Sequence, residues 1–222
     1  MPDTTSGSQS SMTRLILVPA VITLAITILR LVGELRDWSR VFFNPTPGGP
    51  GSLVGIVWLI PIFGIYFAMQ LAKAGEGAPS RWRPLWTSFL GLLLMVVGGV
   101  VFESAQFLSP GKLFLAYLIM VGSALVPLSA WPALGKVLVA YAYAARLPVA
   151  IIMFFAIRGT WGTHYDVSPP GFPPTGFWMK YFLIALLPQL VLWIAFTVIA
   201  GVLFGGIVNA LAARSKPAPE TT

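Results

Sequence analysis

Residues 113–157 read LFLAYLIMVGSALVPLSAWPALGKVLVAYAYAARLPVAIIMFFAI, and only Lys136 and Arg146 in this run carry charge. A helix needs about 20 residues to cross about 30 Å of hydrocarbon, so the run is too long for one crossing. Continuous apolar sequence of this length excludes a membrane β-barrel, whose strands alternate over roughly 10 residues. The run therefore decides the class: an all-α, polytopic membrane protein. Pro127 and Pro132 punctuate it, and proline suits the first turn of a new helix. Two arrangements remain open, a pair of full spans joined by a tight turn at Ser129, Ala130 and Trp131, or a re-entrant pair.

The rest of the chain agrees. Of 222 residues, 57% are hydrophobic and 9% charged, against roughly 25% charged in a soluble domain. A surface facing lipid does without the charge that a water-facing surface requires. The apolar runs place about six transmembrane helices at residues 14–33, 52–73, 85–107, 112–130, 133–157 and 180–209. They form one domain over 14–210, with disordered polar tails expected at 1–13 and 211–222. The run after Arg14 is too long for a signal-peptide core and reads as an uncleaved span. Proline- and glycine-rich turns such as Asn44-Pro-Thr-Pro-Gly-Gly-Pro-Gly51 connect the spans. Trp38, Trp82, Trp86, Trp131, Trp161 and Trp178 fall near span ends, as an aromatic belt requires.

The net charge of +7 comes from single basic residues at the ends of apolar runs, where they meet lipid headgroups. The partner this implies is the bilayer, with no nucleic acid. An N-terminus on the cytoplasmic side assigns seven basic residues to the inner face and six to the outer, a weak bias in favour of that orientation. Short loops and the lack of a usable glycosylation acceptor point to a bacterial plasma membrane. With no cysteine, thiolate catalysis and disulfides are excluded.

Arg146 is the most informative polar residue. It sits about 15 Å along the helix from Lys136 and about 18 Å from Arg158, hence near mid-membrane. An arginine there costs at least about 2.5 kcal/mol and should face protein or water beside a partner. Tyr143 lies three residues earlier, and Pro148 frees a backbone carbonyl as a candidate acceptor. Arg30 and Glu34 are spaced to pair along one helix, and Glu103 lies near the same membrane face. Together these four charges form a candidate polar pathway or a structural network. The loop of residues 159–179 is long and aromatic; it holds the single histidine, His164, beside Asp166, a candidate surface site for a metal or a pH response.

Catalytic signatures are missing: no His-Glu-x-x-His, no intramembrane aspartate pair, and no histidine in a span to serve Ser123. No cofactor is expected. Gly201-x-x-x-Gly205 reads as a helix-packing motif, and Gln70, Gln189 and Asn209 as interhelical hydrogen-bonding residues.

The stretch Gly135-Lys-Val-Leu-Val-Ala-Tyr-Ala-Tyr-Ala-Ala-Arg-Leu-Pro148, followed by a span, a loop and a last span, resembles the bacterial branch of the Ypt/Rab-interacting (YIP) membrane-protein family over about residues 133–207. The resemblance implies a non-enzymatic helical bundle acting in membrane organisation. The acidic N-terminal segment of the eukaryotic members is absent. The residues by themselves lead to a non-enzymatic scaffold, assembly factor or subunit, associated with other membrane subunits or with a second copy. The alternative is a carrier or channel component with Arg146 on its solute or ion pathway.

Overall fold

The computed structural model describes residues 4–212, with side chains from Met12 onward. Six helices follow one another: α1 Thr4–Leu35, α2 Leu59–Lys73, α3 Arg83–Ala105, α4 Pro110–Ala130, α5 Pro132–Gly159 and α6 Phe177–Ala212. Five of them are long and apolar enough to cross a membrane, so the chain is an integral membrane helix bundle. No strand occurs among the described residues.

Two boundaries differ from the sequence reading. α1 begins at Thr4, so residues 4–13 are helical where their polar composition reads as a disordered tail. Helix propagates at little cost once the apolar run downstream has nucleated it. Residues 213–222, most of the expected C-terminal tail, lie outside the described residues. The second span, read over 52–73, is helical only from Leu59. At 15 residues it rises about 22 Å, short of a full crossing. The backbone ahead of it is used elsewhere: Leu53 N–H donates to Val41 O at 3.1 Å and Val54 N–H to Phe42 O at 3.1 Å. These bonds fold residues 36–58 back on themselves.

Residues 113–157 form two full helices and no re-entrant pair. The break is tighter than the three-residue turn, a single extended residue, Trp131, at φ −144° and ψ 79°. Pro132 lacks an N–H, so the helix restarts there with no donor left unpaired at that position. Trp131 is 1% exposed and its indole donates to Glu76 O at 3.0 Å. It pins the α2–α3 connection and does not join an interfacial belt, unlike the exposed Trp82, Trp86 and Trp178.

α6 packs against α2, α3, α4 and α5. Its approach to α2 depends on glycine: a Cβ on Gly64 would lie 2.7 Å from Gly201 O, and one on Gly205 2.9 Å from Ala68 Cβ. The Gly-x-x-x-Gly packing motif thus meets its partner helix as expected. Phe63, Phe67, Leu134, Leu138, Tyr141, Val198 and Val202 fill the core alongside. α1 docks on α5 through Thr23 Oγ1, 2.8 Å from Tyr141 Oη.

The first part of α6 is not regular α-helix. Residues 182–186 and 188–192 are π-helical, with Leu187 N–H bonded to Phe182 O and Trp193 N–H to Pro188 O. Pro188 removes a donor from the ladder, and wider turns around it reassign the neighbouring bonds. The result rotates Gln189 and Trp193 relative to a regular helix.

Candidate functional site

The connections 36–58, 106–109 and 160–176 gather at one end of the bundle. Phe107 meets Phe172 edge-on at 5.0 Å between ring centroids, and the 160–176 loop docks on α1 through Glu34. Asp166 organises that loop from within. Its Oδ1 accepts Thr163 N–H and Thr163 Oγ1–H, both at 2.7 Å, and its Oδ2 accepts Gly162 N–H at 2.9 Å. This turn projects the next backbone amide and side chain, those of His164, towards α1.

Glu34 receives them. Its side chain is fully buried, and it accepts His164 N–H at 2.9 Å, meets His164 Nδ1 at 2.6 Å and accepts Arg30 Nε–H at 2.9 Å. Burial is the largest influence on His164 and lowers its pKa, with Arg30 acting in the same direction and the Glu34 hydrogen bond opposing. The lowered pKa favours the neutral imidazole, and Nδ1, facing a carboxylate, is the nitrogen that donates. Tyr165, also buried, has its phenol pKa pushed up by burial and donates to Thr27 O at 3.2 Å.

The Arg30 guanidinium extends to the other loop, where Nη2 reaches Gly49 O at 3.2 Å. Gly49 has φ +56°, and a Cβ there would occupy the place of the Arg30 Nη2 atom. Only glycine fits, for conformation and for space. Arg30, Glu34 and His164 thus tie two connections to the end of α1.

Beneath them a cavity of about 850 Å³ penetrates the bundle. Arg30, Glu103, Ser52 and His164 lie towards its mouth, and Val149, Met153 and Leu183 form its wall. Its inner end is Arg146, with Gln189 and Trp193. Arg146 is 4% exposed and lies about 20 Å along α5 from the Gly159 end. Its Nη1 donates to Gln189 Oε1 at 3.3 Å, and its Cζ stands 4.4 Å from the Trp193 ring centroid. Gln189 Nε2 in turn donates to Met153 Sδ at 3.6 Å.

The candidate residues therefore separate into groups. Arg30 pairs with Glu34 as the spacing predicts, and His164 joins them. Arg146 opens onto the same cavity but forms no ion pair among the described residues. Glu103 stays exposed at the rim without one. Tyr143 points outward, 42% exposed, because three residues turn a helix by 300° and leave it at the edge of the Arg146 face. The pairing of His164 with Asp166 as a surface site is corrected: Asp166 is buried and committed to its own loop, and His164 faces α1. No group of three metal-ligating side chains occurs among the described residues. Ser123 is buried and donates to Met120 O.

Sequence reading passed over Gln189 and Trp193 as site residues. A polar side chain directly after a mid-span proline was the available signal for Gln189. For Trp193 there was none, since its position depends on the π-helical turns. Comparison with protein-family models, with curated proteins and with solved structures gave no match.

Proposed function

We propose that the protein is a membrane carrier or channel component whose solute path includes the cavity ending at Arg146. The observation that carries this reading is the cavity itself. A volume of about 850 Å³ is that of a small-molecule site, and it brings a mid-span arginine into contact with space open to one end of the bundle. An arginine that only fixed helix packing would be enclosed by acceptors from its neighbours; this one has a single amide oxygen. With the N-terminus on the cytoplasmic side, in a bacterial plasma membrane, the mouth faces outward.

The test is efflux from phosphatidylcholine proteoliposomes of the full chain, followed by light scattering over organic acids, alcohols and inorganic anions. At least one solute class should leave faster than from protein-free vesicles. Arg146→Leu should abolish the difference while the size-exclusion profile is kept. Absence of any flux, with stoichiometric partner subunits seen by native mass spectrometry, would favour the scaffold or subunit role that the resemblance over residues 133–207 implies.

A further inference from the structure

The inner end of the cavity has more hydrogen-bond donors than acceptors. Arg146 carries five N–H donors in a planar fork, and the protein supplies one acceptor, Gln189 Oε1, among the described residues. The other interaction, with Trp193, places the guanidinium carbon 4.4 Å from the ring centroid and supplies no oxygen acceptor. Contact with the indole and the bond to Gln189 hold the fork in place, and a fork so held loses little entropy on meeting an oxyanion.

The surrounding charges do not neutralise it. Of the two carboxylates buried at this end, Glu34 is taken by Arg30 and His164. Asp166 is bound within its loop, and Glu103 is exposed at the rim. The wall between rim and Arg146 is largely apolar, formed by Val149, Met153, Leu183, Ile184 and Leu192. A small hydrated anion would lose its water along this wall and gain one counter-ion. A neutral apolar molecule would fill the wall and leave the guanidinium uncompensated in a medium where that is costly. A molecule with both an oxyanion and an apolar chain satisfies both parts of the cavity.

We propose that Arg146, oriented by Gln189 and Trp193, seats the anionic group of an amphipathic phosphate or carboxylate whose chain lies along the apolar wall. This rests on the carrier reading above and gives the substrate class of the same site. The shared chemistry has two sources, the headgroup of an anionic lipid and a free organic anion.

The experiment is isothermal titration calorimetry of the full chain in phosphatidylcholine nanodiscs, with decyl phosphate, decanol and inorganic phosphate as probes. Decyl phosphate should bind at least tenfold more tightly than either of the others. Arg146→Gln should erase that preference, and Arg158→Gln, an exposed residue outside the cavity, should keep it. Including 10 mol% phosphatidic acid in the nanodiscs separates the sources: competition with decyl phosphate identifies a lipid headgroup, and undiminished binding a free anion. Equal affinity of the wild type for decyl phosphate and decanol would overturn the proposal while leaving a cavity that takes solutes. No binding of decyl phosphate also overturns it, and proteoliposome efflux then decides the carrier reading separately. If Arg146→Gln does not fold, the wild-type comparison of the three probes is decisive by itself.

Discussion

Glu34→Gln is the perturbation that most directly tests how the 160–176 loop is held. The carboxylate faces three donors: Arg30 Nε at 2.9 Å, His164 N at 2.9 Å and His164 Nδ1 at 2.6 Å. Glutamine keeps the shape but has one acceptor oxygen, so its NH₂ must face at least one of those donors. Hydrogen bonds to a charged group contribute about 1.5–3 kcal/mol each, and neutral ones about 1. Losing one bond and weakening the rest should therefore lower the local opening free energy by about 2–3 kcal/mol. The three side chains are nearly shielded from water, at 12%, 0% and 14% exposure for Arg30, Glu34 and His164, so little of this is lost to solvent screening. Hydrogen–deuterium exchange read at residues 160–167 should accelerate by about 30- to 150-fold. Peptides from the α2–α6 core should be unchanged. Unaltered exchange at the His164 amide, or acceleration spread equally over the core, would refute the reasoning.

Four further outcomes follow from the same packing. His164 has a pKa below its ordinary 6.5, so the undocked loop binds the proton more readily. Docking should be complete above about pH 6.5 and weaken as pH falls towards the lowered value, measured by exchange at residues 160–167, and His164→Gln should remove this dependence. Gly64→Val would press a Cβ to 2.7 Å from Gly201 O; backbone cannot yield as a side chain does, and thermal unfolding in detergent should report a loss of about 1–3 kcal/mol. Gly99→Ala, with nothing within 4 Å of its Cβ, should be neutral or stabilising by up to about 1 kcal/mol in the same assay. Tyr141→Phe should cost about 1 kcal/mol, because Thr23 Oγ1 keeps its bond to Pro19 O.

Apolar length and proline position carried most of the architecture. In residues 113–157 Pro132 marked a helix start, but full spans and a re-entrant pair both stayed open, because proline also sits inside these helices, at Pro127 and Pro148. The boundary at Leu59 was not legible, since the apolar residues just before it read equally well as span or as loop. What decides there is the backbone pairing with Val41 and Phe42, a tertiary effect. Within the site, the i,i+4 pair of Arg30 and Glu34 was readable because a helix fixes that geometry locally. Tyr143 misled because an i,i+3 relation brings neighbours close without putting both on the buried side. Gln189 and Trp193 reach Arg146 through π-helical turns, which shift the angular register of every residue after them, and no residue spacing records that shift in advance.

The two arginines that line the cavity show why Arg146 is the residue to pursue. They share a side chain and a cavity, yet the fold treats them differently. Arg30 is given a carboxylate four residues away and the carbonyl of Gly49. Each of these partners is fixed by local geometry, a helix turn in one case and a left-handed glycine in the other. Its charge is answered within the protein, and its role is to hold two loops. Arg146 stands deeper, where an unanswered charge is more costly, and it receives one amide and one ring face. A leucine or methionine there would pack against Trp193 and Val149 at no electrostatic cost, so packing alone gives no reason for an arginine. The same bundle shows with Arg30 that it can supply an arginine with a carboxylate and a loop carbonyl. That it leaves Arg146 without either, on a space of ligand size, points to an acceptor that arrives from outside the chain.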